Sequence, residues 1–120
     1  MWSLCLEGLN SLLLKVLCIA NCKSLKFLPL DIEHFSVLET LLVDKCDVLE
    51  FSKEHNRSSN LRLKIVNFIS LPQLVTLPHW LQGSVDTLQY LLISSCNNLV
   101  GLPKWLSAMN SLKTLCHKLS

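Results

Sequence analysis

Glycine is scarce in this sequence. The three glycines in 120 residues, Gly8, Gly83 and Gly101, stand too far apart to form a G-x-G-x-x-G turn or a P-loop, so neither phosphate-cradling motif is present. Strong charge of either sign is also missing. Charged residues make up 17% of the chain and the formal net charge of +2 is spread along it, with no basic block. That leaves no electrostatic footprint for nucleic acid or for an acidic membrane surface. Uninterrupted apolar runs are missing too. Residues 65–85 contain no Asp, Glu, Lys or Arg, but Asn67, Pro72, Gln73, Pro78 and Gln82 make them a poor membrane span. The N-terminus has no positive region, and Glu7 interrupts its short apolar stretch, so no signal peptide is expected.

The sequence also lacks the constellations that chemistry needs. No C-x-x-C and no His-paired zinc spacing occurs among the six cysteines. Cys116 and His117 look like a nucleophile and its base, but adjacent strand residues point to opposite faces and cannot share a site. His34, His55 and His79 have no metal spacing and read as solvated side chains. No pair of carboxylates converges. An enzyme is therefore not expected, and no catalytic, cofactor or metal residue is assigned.

What is present is a repeat. Residues 88–106 read L-x-x-L-x-I-x-x-C-x-x-L-x-x-L-P-x-x-L, with apolar residues at Leu88, Leu91, Ile93, Cys96, Leu99, Leu102 and Leu106. The same phase begins at Leu14, Leu38, Leu63 and, in part, Leu112, so the unit starts are almost evenly spaced along the chain. A sustained period of this length falls in the leucine-rich range. The expected fold is an α/β repeat, a leucine-rich-repeat solenoid filling residues 1–120. Its short parallel strands would line the concave face, and its outer segments would be irregular, 3₁₀ or short helices. One unit cannot bury its own leucines, but stacked units can. Cys22, Cys46 and Cys96 recur at one place in three units and read as small, buried, reduced thiols. Reduced thiols imply an intracellular, cytoplasmic protein.

Two places break the phase. After Leu49 the L-x-x-L-P hook is missing, and an irregular loop is expected over residues 51–60, exposed and solvated rather than a partner contact. Met1 to Leu13 has weak phase, and His117 stands where an apolar residue is due. Neither end reads as a polar cap, so the chain is expected to be a piece of a longer array.

Two features bear on function. Trp80 and Trp105 occupy equivalent places in Leu77-Pro78-His79-Trp80-Leu81 and Leu102-Pro103-Lys104-Trp105-Leu106. A stacked indole pair covering the outer core is expected, with a docking ridge as the alternative. Period-two alternation also predicts three rows on the concave face: Val16, Thr40, Ile65, Tyr90 and Thr114; Cys18, Leu42, Asn67, Leu92 and Cys116; Ala20, Asp44, Ile69, Ser94 and Lys118. The rows are apolar for a wet sheet face, which marks an interaction surface or a face covered by another domain. The candidate protein-binding residues are Thr40, Leu42, Asp44, Ile65, Asn67, Ile69, Tyr90, Leu92 and Ser94.

The repeat form with Cys in place of Asn, the paired L-P-x-W-L segments and the I-S-x-C-x-x-L strand end resemble the leucine-rich repeats of plant intracellular immune receptors. These are the nucleotide-binding, leucine-rich-repeat disease resistance proteins, and the likeness is to their coiled-coil subclass. It covers about residues 9 to 116 and is strongest from Leu71 onward. The resemblance implies a protein-recognition module in defence. Its partners would be a pathogen effector, a guarded host protein or the parent receptor's own nucleotide-binding domain. The nucleotide-binding motifs have no counterpart here, so ATP or ADP binding is not carried over. The alternative is a generic leucine-rich scaffold or adaptor, in signalling or in ubiquitin-ligase substrate recognition; an F-box or kinase segment in the parent transcript would favour it.

Overall fold

The computed structural model describes residues 3–7, 15–26, 37–51 and 61–118, the first of these by backbone pairing alone. Six strands form one sheet in sequential order: β1 (Ser3–Glu7), β2 (Val16–Ala20), β3 (Thr40–Asp44), β4 (Ile65–Ile69), β5 (Tyr90–Ser94) and β6 (Thr114–Lys118). Strands β2 to β6 are parallel, and each pairs in register with the next: Val16 lies beside Thr40, Thr40 beside Ile65, Ile65 beside Tyr90 and Tyr90 beside Thr114. The sequence period and the sheet register are thus one quantity. Parallel neighbours need a crossover connection. The two crossovers described in full, from β4 to β5 and from β5 to β6, carry 3₁₀ turns at His79–Ser84 and Lys104–Ala108.

β1 departs from the rest. It pairs antiparallel with β2, with Ser3 opposite Ala20 and Glu7 opposite Val16. The weak phase of Met1 to Leu13 thus conceals a strand that runs against the others.

Strands β2 to β5 are built alike: the second and fourth residues of each face the core, whereas on β6 the equivalent Leu115 and His117 are exposed. Leu17 and Ile19, Leu41 and Val43, Val66 and Phe68, and Leu91 and Ile93 are all essentially inaccessible. The strand's alternation comes from the period-two geometry of extended chain. At the strand start, one carbonyl accepts two N–H groups of the following unit. The Lys15 carbonyl takes Glu39 and Thr40, Glu39 takes Lys64 and Ile65, Lys64 takes Gln89 and Tyr90, and Gln89 takes Lys113 and Thr114.

At the strand end, one residue adopts a left-handed backbone: Asn21, Lys45, Ser70 and Ser95, with φ between 52° and 57°. None is glycine, and such a conformation costs a side-chain-bearing residue of order 1 kcal/mol. Each offsets the cost by donating its N–H to the last strand residue of the next unit: Asn21 to Asp44, Lys45 to Ile69, Ser70 to Ser94 and Ser95 to Lys118, at 2.8–3.0 Å. The left-handed residue swings the following side chain into the core, which is where Cys22, Cys46, Leu71 and Cys96 are buried. The thiols suit this place because each has a backbone acceptor. Cys46 Sγ lies 3.5 Å from the Asp44 carbonyl and 3.9 Å from that of Ile19; Cys96 Sγ lies 3.5 Å from Ser94 and 3.6 Å from Phe68. Burial pushes the Cys96 thiol pKa up and that of Cys46 to about 11.

Two expectations about the outer layer need correction. Phe51 is buried, not the start of an exposed loop; residues 52–60 of that expected loop lie outside the described residues. Its ring meets Phe68 edge-on, with centroids 5.5 Å apart. It supplies apolar cover where the missing L-x-x-L-P hook would have stood. The second concerns the indoles. Trp80 does not stack on Trp105 but meets Phe68 edge-on, at 6.4 Å and 82°. Both indoles are partly buried against the core. Phe68, among the largest fully buried side chains, already fills the space under Trp80.

Candidate functional site

The register assembles all nine candidate residues on the sheet face opposite the core. Thr40, Ile65 and Tyr90 are direct neighbours in one row, Leu42, Asn67 and Leu92 in the next, and Asp44, Ile69 and Ser94 in the third. Val16, Cys18 and Ala20 extend the rows on β2, and Thr114, Cys116 and Lys118 on β6. Tyr90 is exposed and the other eight candidates are half-buried. Flanking strands bury such side chains at their sides while leaving their tips open. The centre of the face is apolar, made by Leu42, Ile65, Ile69 and Leu92, with Asn67 set among them.

One member of the face is electrostatically unusual. Asp44 is the only charged residue in the three outward rows of β2 to β5. Its Oδ1 is removed from solvent and has no hydrogen-bond partner. Its cross-strand neighbours are Ala20 and Ile69, neither of which has a side-chain donor. The sequence shows Asp44 as the charged member among these strands, but the loss of water and donor at Oδ1 is visible only in three dimensions.

Charge is more plentiful at the rim, where the strands begin. Lys15, Glu39, Lys64, Gln89 and Lys113 follow one another there, and Lys64 pairs with Glu39 at 3.4 Å, both half-exposed. Such exposed pairs contribute about 0–1 kcal/mol.

Away from this face, sequence reasoning missed Ser84. It is fully buried, accepts from the Leu63 N–H at 2.9 Å and donates to the Leu61 carbonyl at 3.1 Å. It thereby ties the end of the His79–Ser84 3₁₀ turn to the approach of β4, at the start of the same unit. A lone serine after Gly83 carries no signal of such a role.

The chemically reactive residues do not converge. Cys116 lies in a row with Leu92, His117 in the adjacent row with Ile93, so the two point to opposite faces. Among the described residues no group of three His, Cys, Asp or Glu side chains is placed to hold a metal ion. No helix among them is long and apolar enough to cross a membrane. His34 and His55 lie outside the described residues, and exposed His79 lies within hydrogen-bonding distance of Gln82, at 3.3 Å. No protein-family model, curated protein or solved structure matches this chain.

Proposed function

We propose that this chain is a stretch of leucine-rich-repeat solenoid that recognises other proteins through the outward, concave face of its parallel sheet. We place it in a plant intracellular immune receptor of the nucleotide-binding, coiled-coil subclass. There it works in the cytoplasm, without enzymatic activity, in effector or guarded-protein sensing and in autoinhibition. The observation that carries the reading is the half-buried apolar centre of the face, made by Leu42, Ile65, Ile69 and Leu92 at matching register positions. Contiguous apolar surface on a sheet tends to be contact surface. Further support comes from the recurring Cys22, Cys46 and Cys96 and from the paired Leu-Pro-x-Trp-Leu segments, which resemble that family's repeats.

Two measurements test it. Leu92→Glu and Ile65→Glu should fold normally and weaken capture of the parent receptor's nucleotide-binding domain, or of the cognate effector, in a pull-down. Unchanged capture by both variants counts against the face. Reading the parent gene upstream tests the origin: no nucleotide-binding domain there removes the immune-receptor assignment and leaves a general scaffold.

A further inference from the structure

The orphaned carboxylate on the candidate face defines what its partner must bring. Asp44 stands at the end of β3, next to the apolar centre. Ala20, on one side of it, is small; Ile69, on the other, is aliphatic. Leu42, two positions back on the same face, is aliphatic too. The one nearby cation in sequence, Lys45, sits on the left-handed turn and is exposed, and Oδ1 receives no bond from it. Lys118, in the same row, is three strands away. At the usual strand spacing that is about 14 Å, beyond hydrogen-bonding reach. A carboxylate oxygen held away from water without a donor is unfavourable. The carboxylate's other oxygen stays accessible, and a donor arriving from above the sheet meets it first. A long cationic side chain fits the surroundings best. Its methylene stem would lie along Ile69 and Leu42 and its head would reach Asp44.

Resting on the reading of this face as a docking surface, the geometry points to a protein segment as its occupant. That segment lays apolar side chains over Leu42, Ile65 and Leu92 and directs one arginine or lysine at Asp44. Asp44 is the specificity-determining residue of the face.

The test is a selection of displayed random dodecapeptides on the immobilised full chain, followed by titration of the recovered peptides. The variants are Asp44→Asn, Asp44→Ser, Asp44→Lys and Leu92→Glu, each checked for an unchanged thermal midpoint; Asp44→Ser serves if the asparagine variant is misfolded. Peptides recovered on the native chain should share one basic residue beside apolar ones. They should bind Asp44→Asn roughly 10- to 100-fold more weakly, the range expected for losing a hydrogen bond to a charged group. Selection on Asp44→Lys should lose the basic residue. Peptides that depend on Leu92 but carry no basic preference, or that bind Asp44→Asn within about twofold of the native chain, overturn the Asp44 assignment and leave the docking face standing. Recovery only of peptides indifferent to Leu92→Glu, or of none, overturns both.

Discussion

The unit that contains β4 and the unit that contains β5 have nearly the same sequence pattern, yet they bury it differently. Leu77 is 3% exposed, whereas Leu102, its counterpart in the next unit, is 40% exposed. Leu74 is fully buried, and Leu99 only partly. The row of core leucines fails in the same direction: Leu91 on β5 is 1% exposed, and Leu115 on the edge strand β6 is 41% exposed. The residue type is unchanged along each comparison; what changes is how much of the described chain packs on it. Burial in this molecule is therefore a property of neighbours rather than of the individual unit.

The largest effect that can sharpen this comparison is a pair of identical truncations. Leu91→Ala should cost ~2–5 kcal/mol, because it opens a cavity between two packed strands. Leu115→Ala should cost less than ~1 kcal/mol, because much of that side chain already meets water. Chemical denaturation midpoints measure both. Equal losses would show that neighbours do not govern burial.

A smaller effect lies in a fully buried polar link of the middle unit. Ser84 bridges Leu61 and Leu63, while its counterpart in the next unit is the apolar, buried Met109. Ser84→Ala leaves a buried N–H and a buried carbonyl without that partner and should cost ~1–3 kcal/mol. A loss near zero in the same denaturation assay would show that the two backbone groups find other partners.

The left-handed turns give the next step down. Lys45→Asn places a residue more tolerant of positive φ at a site where Asn21 already does this work, and should stabilise by up to about 1 kcal/mol. An unchanged or lower thermal midpoint would mean that the turn carries no strain.

The cysteines give a comparison that needs no mutation. Cys46 and Cys96 are fully buried, and Cys116, on the edge strand, is half-buried. Iodoacetamide followed by mass spectrometry should label Cys116 first and the other two only on unfolding. The raised pKa of Cys46 adds a pH signature. Desolvation by burial holds its thiol in the neutral form, so folding binds this proton more tightly than the unfolded chain does. Its contribution to stability is complete below the ordinary thiol range and drains away as pH rises towards about 11. A Cys46→Val variant should lose less stability across that interval. Early labelling of Cys46 at mildly alkaline pH would contradict its place in the core.

Much of this architecture was legible in the sequence because two periods coincide in it. Alternation fixes which strand residues face the core, and the repeat spacing fixes which residues become neighbours. Together they specify all three rows of the outward face. Features that depend on only one unit were harder to read. β1 belongs to no repeat, although Ser3-Leu4-Cys5-Leu6-Glu7 alternates as a strand should. Phe51, from the preceding unit, and Trp80, from the same unit, both pack on Phe68, contacts that no spacing announces. Asp44 shares its row with Ile69 and Ser94, and only the packing around it deprives one oxygen of both water and a donor.

The left-handed turns have a temporal consequence. Their N–H groups point forward along the stack: Asn21 is held by β3, Lys45 by β4, Ser70 by β5 and Ser95 by β6. The N–H groups at the strand starts point backward, to the preceding unit. Every interior junction is thus stitched from both sides, and the four turn amides form a natural clock for amide hydrogen exchange. When the molecule peels from its β6 edge, Ser95 is released first, then Ser70, Lys45 and Asn21 in that order. When it opens all at once, the four exchange together. Four backbone protons therefore record whether the stack melts as a zipper or as a block.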